Sequence, residues 1–120
     1  MASILIVEDD SALARLFAFH LERSGCLVDI CPTAELAMVN LAERRYAVAL
    51  VDISLPAASG VYVIDTIRTL PLERRPEIVV VTAATSAILN KIDRGLVRSV
   101  MFKPVDAEAV VAYALKLGKV

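Results

Sequence analysis

Five residues of types that handle phosphate stand just beyond four short apolar runs. Asp9 and Asp10 follow ILIV, Asp52 follows AVALV, Thr82 follows EIVVV and Lys103 follows SVMF. If the runs are parallel strands, their carboxyl ends converge on one crevice, where open α/β sheets bind ligands. Acids there can hold Mg2+, a small hard cation that takes one or two carboxylates and completes its shell with water and phosphate oxygens. A carboxylate beside such a cation stays ionised despite acidic neighbours and can attack phosphorus to form an acyl phosphate. Lys103 would supply a point charge to Asp52 or to the added phosphate, and Thr82 a hydroxyl for a phosphoryl oxygen. Together the five read as a phosphoryl-accepting site.

Each also has a plainer reading. The acids Glu8, Asp9 and Asp10 suit a helix N-terminus, with Asp10 as the cap. Thr82 could cap the helix begun by AATSAILNK, and Lys103 could be a solvated lysine in a turn. Asp52 resists such treatment, because glycine or asparagine would serve a mere turn better. The combination carries the assignment that no single residue does.

The elements that must position these groups follow from periodicity. Runs at Ser3–Val7, Cys26–Ile30, Ala47–Val51, Glu77–Val81 and Ser99–Phe102 alternate with helical patterns. Those helices are expected over about Ser11–Ser24, Thr33–Arg44, Gly60–Leu70, Ala84–Gly95 and Ala107–Leu117. Four runs are nearly continuous in aliphatic residues, as strands covered on both faces are. CLVDI alternates more and carries Asp29, which suits a sheet edge. In the first helix Leu13, Phe17 and Leu21 form a core stripe. Asp10, Pro32-Thr33 and Asp106 mark helix starts, and Gly25 a helix end. Five βα units with right-handed crossovers predict an α/β fold: a doubly wound five-stranded parallel sheet, flavodoxin-like, with strand order 2-1-3-4-5.

Bulk properties bound the alternatives. With 120 residues, 58% of them hydrophobic, the chain suffices for one domain with a proper core. Thirteen basic against 14 acidic residues, net −1, argue against a nucleic-acid or membrane surface built on charge. No apolar run is long enough to span a bilayer, and MASILIVEDD turns acidic too early for a signal peptide. Cys26 and Cys31 match no metal or redox spacing and are expected as reduced thiols in a cytoplasmic protein. His20, the only histidine, is expected on the rim of the first helix, away from the crevice. Phe19 is expected under the fifth helix or as a docking aromatic, and Arg74-Arg75 and Arg94/Arg98 as solvated basic patches.

The blocks IVEDD, VDISLPAASG, VVVTA and FKP, in this order, spacing and strand context, resemble the receiver domain of two-component response regulators. The resemblance spans essentially residues 1–120. It implies that Asp52 is the phosphoacceptor and that Asp9, Asp10, Asp52 and the backbone carbonyl of Ser54 hold Mg2+. Thr82 and Lys103 are then the partners of the phosphoryl group, while Leu55-Pro56 and Gly60 match the loop that opens the third helix. The implied donor is a phosphohistidine on a histidine kinase or histidine phosphotransfer protein. The implied output is a downstream protein or fused domain, reached through the fourth helix, fifth strand and fifth helix. A homodimer through that face or through the first and fifth helices is left open. Receivers commonly carry an aromatic residue three before this lysine that follows the threonine's movement; Val100 stands there instead.

Two other functions compete. An aspartate-nucleophile phosphohydrolase is disfavoured, since Ser54 replaces a second acid two residues on and no cap domain is present. A pseudo-receiver that only binds proteins is opposed by the intact set of five and kept open by Val100.

Overall fold

Aliphatic runs bounded by Asp, Pro and Gly form the predicted alternation in the computed structural model, which describes residues 1–120. The elements are β1 (Ser3–Val7), α1 (Ser11–Arg23), β2 (Leu27–Cys31), α2 (Ala34–Glu43), β3 (Val48–Val51), α3 (Gly60–Thr69), β4 (Glu77–Thr82), α4 (Ser86–Leu89), β5 (Val97–Phe102) and α5 (Ala107–Leu117). The strands are parallel, in the order β2-β1-β3-β4-β5. This is the predicted doubly wound sheet.

Strand alternation sends side chains into two core layers. Leu5, Val7, Ala49, Val51, Ile78 and Val80 face α2 and α3, while Ile4, Ile6, Val48, Leu50, Val79 and Val81 face α1 and α5. Phe17 and Leu21 of α1 are buried in the second layer, with Leu13 packed at its margin. Burying a side chain such as Phe17 stabilises by roughly 2–3 kcal/mol. Cys26 and Cys31 fall in opposite layers, which keeps them apart as free thiols. Burial, reinforced by the nearby Asp29 carboxylate, pushes the Cys31 thiol up to about 11. β2 is an edge strand, as Asp29 suggested; its carboxylate accepts from the Tyr46 hydroxyl at 2.6 Å and pairs with Arg44 at 3.1 Å.

The predicted caps are present on four sides. Asp10 accepts from the amides of Ala12 and Leu13, Thr33 from Leu36 and Asp106 from Glu108, while Gly25 turns the chain after α1 with φ +91°.

The fourth helix departs from expectation. Ala84–Gly95 reads as one helix, but only Ser86–Leu89 is α-helical, followed by a separate 3-10 turn at Arg94–Leu96. Thr85 makes no side-chain cap, and the Asp93 carboxylate accepts from the Gly95 amide at 2.9 Å. Asn and Asp side chains compete for backbone groups in this way and divert the chain from helix. β5 accordingly starts at Val97 rather than Ser99.

Two arginines predicted to be solvated are instead helix caps. Arg74 donates to the carbonyls of Leu41 and Ala42 at the end of α2, and Arg75 to those of Leu70 and Arg68 at the end of α3. Cations there satisfy orphan carbonyls and oppose the negative helix end. Arg98, by contrast, is exposed and lies 3.6 Å from Glu77. Phe19 is half exposed, edge-on to His20 and beneath Arg23, rather than packed under α5.

Candidate functional site

Asp52 leaves β3 inside the sheet. Its amide still bonds the Val7 carbonyl at 2.9 Å, so the side chain emerges where β1 and β3 end together. The next segment fixes it from below. A Cβ on Gly60, the first residue of α3, would overlap the Asp52 carbonyl oxygen and lie 2.5 Å from the Ile53 Cα. Only glycine lets α3 start this close to the strand.

The carboxylate is buried, 4% exposed, and fully engaged. Its Oδ1 accepts from the Ser54 amide at 2.8 Å, the Ser54 hydroxyl at 2.6 Å and the Thr82 hydroxyl at 2.7 Å; its Oδ2 accepts from Lys103 Nζ at 2.9 Å. Burial alone would raise its pKa, but the bonds from Ser54, Thr82 and Lys103 outweigh burial and hold it below the usual carboxylate range. Asp52 is therefore an ionised carboxylate kept out of bulk water.

Lys103 is shared. Its ammonium sits 2.7 Å from Glu8 Oε1 and 2.9 Å from Asp52 Oδ2. Burial would lower its pKa, yet the two carboxylates win and raise it. Glu8 shows the opposite balance: it is 2% exposed, and burial pushes its pKa up further than Lys103 and the Asp10 amide pull it down.

The acids divide differently from the sequence reading. Glu8, Asp9 and Asp52 bring one carboxylate oxygen each within 4.8 Å of one another. Asp10 stays outside this group, its Oδ1 accepting instead from the Ala12 and Leu13 amides as the cap of α1. Sequence reasoning saw Glu8 but gave it no place in the site. The signal was there: Glu8 follows ILIV directly, as Asp52 follows AVALV, and Val7 pairs with Val51. Extending that register by one residue puts Glu8 beside Asp52 on the same face.

Thr82 is fully buried, and its hydroxyl already points inward onto Asp52 while accepting from the Ala84 amide at 3.1 Å. Val100 is half buried against the α2/α3 core layer. Phe102, two residues on along the same face, is 56% exposed.

The donor set suits a divalent ion. Two buried carboxylates pair with one ammonium, and the exposed Asp9 adds a third carboxylate beside them. All the carboxylate donors are hard oxygens, which favour Mg2+ over softer metals.

A buried, ionised aspartate with a lysine and a hydroxyl, at the carboxyl rim of a 2-1-3-4-5 sheet, defines a CheY-like receiver architecture. The family model described as the response regulator receiver domain matches residues 4–115. The chain belongs to that family. It is 31% identical over 120 residues to the photosynthetic apparatus regulatory protein RegA of Rhodovulum sulfidophilum, covering 98% of this chain and 63% of RegA. It is 32% identical over 83 residues to the phosphate regulon transcriptional regulatory protein PhoB of Rhizobium meliloti, covering 69% of this chain and 37% of PhoB. The chain thus spans less than two thirds of the length of these curated relatives. Among solved structures, the receiver domain of a response regulator from Bermanella marisrubri superposes with TM-score 0.81 at 28% identity, covering 96% of each chain. No helix is long and apolar enough to cross a membrane.

Proposed function

We propose that the chain, as one receiver unit over residues 1–120, accepts a phosphoryl group onto Asp52 from a phosphohistidine and uses it to switch partner binding. One observation carries this reading: a buried carboxylate held ionised by donors from three segments, beside two further acids.

In the transfer, a carboxylate oxygen of Asp52 forms a bond to phosphorus as the bond from phosphorus to the donor's ring nitrogen breaks, and the electron pair stays on that nitrogen. Ser54 and Thr82 orient the nucleophile before the donor arrives. Lys103, already beside the attacking carboxylate, would neutralise negative charge that gathers on the phosphoryl oxygens. Asp9, Asp52, the Ser54 carbonyl and Glu8 are the groups that would hold Mg2+, while Asp10 remains the cap of α1. The ion would supply further neutralisation of phosphoryl charge.

The product carries nearly two additional negative charges and three strong acceptors. Thr82 then exchanges a carboxylate oxygen for a phosphoryl oxygen, and Lys103 moves its charge from Glu8 and Asp52 toward the new group. Both exchanges act on β4, α4 and β5, biasing two states of that face toward one. The partners in this reading are a histidine kinase or phosphotransfer protein as donor and a downstream protein or fused output domain as receiver of the signal. A second copy of the chain on the α4–β5–α5 face is a further partner in this reading. Chemistry is confined to the chain's own phosphorylation and slow dephosphorylation, so it is a switch rather than a turnover enzyme.

Labelling with a phosphorylated donor in Mg2+ tests the reading. Wild-type chain should take up label that is lost in Asp52→Asn. Undiminished label in the variant, or no label from any phosphohistidine donor or small acyl phosphate, would return the chain to the protein-binding alternative.

A further inference from the structure

We propose that the cleft between α2 and α3 docks a short segment of a partner protein: an apolar side chain flanked by lysine or arginine. The cleft encloses about 510 Å³, within the range of ligand sites. Its walls include Met38 on α2, Leu55 and Pro56 after the Asp52 strand, and Tyr62 on α3, which is 59% exposed. Asp9 and Glu35 stand at its rim, and none of its lining residues is a lysine, arginine or histidine.

The charge pattern selects the occupant. An anion would meet two carboxylates without a compensating cation, whereas a basic residue on either side of an apolar anchor finds a partner. The surface beside the cleft selects a polypeptide over a small molecule. α2, AELAMVNLAE, has only three polar residues in ten, so it lacks the polar outer face a surface helix normally shows. Leu36 and Val39, next in sequence to the cleft-lining Glu35 and Met38, are about half exposed on it, at 48% and 51%. With an apolar side chain seated in the cleft, the aliphatic stems of its basic neighbours along a peptide can lie on this surface.

The cleft shares Asp9 with the proposed ion site, so docking is tested on the 120-residue chain in metal-free buffer, where phosphoryl transfer plays no part. The probe is acetyl-Arg-Phe-Arg amide, followed through amide resonances of the 15N-labelled protein. Saturable shifts centred on Glu35, Met38 and Tyr62 are expected. Glu35→Lys, at an exposed position, should weaken binding about fivefold, and Tyr62→Ala should weaken it as well. The peptides with glutamate or serine in place of both arginines should bind more weakly than the parent. Equal binding by the glutamate or serine peptides, shifts centred elsewhere, or no saturable shift at millimolar peptide would each overturn the proposal. So would shifts of these same residues on raising protein concentration without peptide, which would make a second copy of the chain the occupant.

Discussion

Two helices flank the site from opposite sides, and they are built to different standards. α1, after the acids of β1, runs 13 residues, is capped by two amide bonds to Asp10 and buries Ala14, Phe17, Ala18 and Leu21. α4, after Thr82, runs four residues, has no side-chain cap and buries only Leu89. One wall of the pocket is therefore fixed and the other is held by little. Local stability follows buried apolar contact and protected hydrogen bonds, so conformational change should be concentrated in the Thr82 wall. In the proposed switch the rigid side would orient Asp52 and the loose side would respond to its modification.

The most severe way to break the comparison is to remove the charge joining the two walls. Lys103→Met strands Glu8 and Asp52 as buried carboxylates and should cost about 3 kcal/mol in urea unfolding at neutral pH. That deficit should shrink in acid as the carboxylates protonate. The pH profile of the wild type sharpens the point, since Glu8 and Asp52 are shifted in opposite directions. Glu8 has a raised folded pKa, so acidification through it should add stability until the ordinary carboxylate range is reached. Asp52 has a depressed one, so stability should then fall as the pH drops below that range toward its folded pKa. A weakly acidic maximum in unfolding free energy, lost in Glu8→Gln, is the expected signature.

Next in size is Gly60→Ala, at the start of α3. Its new Cβ must displace the backbone at Asp52 and Ile53, at a cost of about 2 kcal/mol. Phosphoryl uptake should slow along with it. Equal stability would mean that the start of α3 is not a close approach.

A pair of cap variants compares the two helices directly. Asp10→Ala should lose about 1 kcal/mol and leave divalent-ion affinity unchanged, whereas Asp9→Asn should weaken that affinity as read by titration. Thr85→Ala at the start of α4 should change stability by less than about 0.5 kcal/mol, because no bond is lost. The smallest signal is in amide exchange: the amides of Ser86–Leu89 should exchange faster than the interior amides of α1. Equal protection would remove the distinction between the walls.

The fold was legible because its signals are local and redundant. Continuous aliphatic runs announce covered strands, and Asp10, Thr33 and Asp106 announce helix starts whichever way the sheet is assembled. Three features were hidden for different reasons. Glu8 and Asp10 are both acids beside Asp9, and only the register of β1 on β3 separates a buried site residue from a cap. After α4 ends at Leu89, Asp93 accepts from the Gly95 amide and starts a new 3-10 turn, a break that the apolar spacing of Ile88, Leu89 and Ile92 does not reveal. Arg74 and Arg75 looked solvated because their acceptors are carbonyls that become neighbours only after folding; the Leu41 carbonyl belongs to a residue 33 positions from Arg74.

Those two arginines have a consequence for how the chain tolerates change. The segment between Pro71 and Pro76 has the composition of an expendable surface turn, yet it clasps the ends of two helices on the rim opposite the pocket. Insertions there would uncouple α2 and α3 from each other at their far ends, so this turn should resist lengthening. The chain's freedom to vary is narrower at its base than its exposed surface suggests.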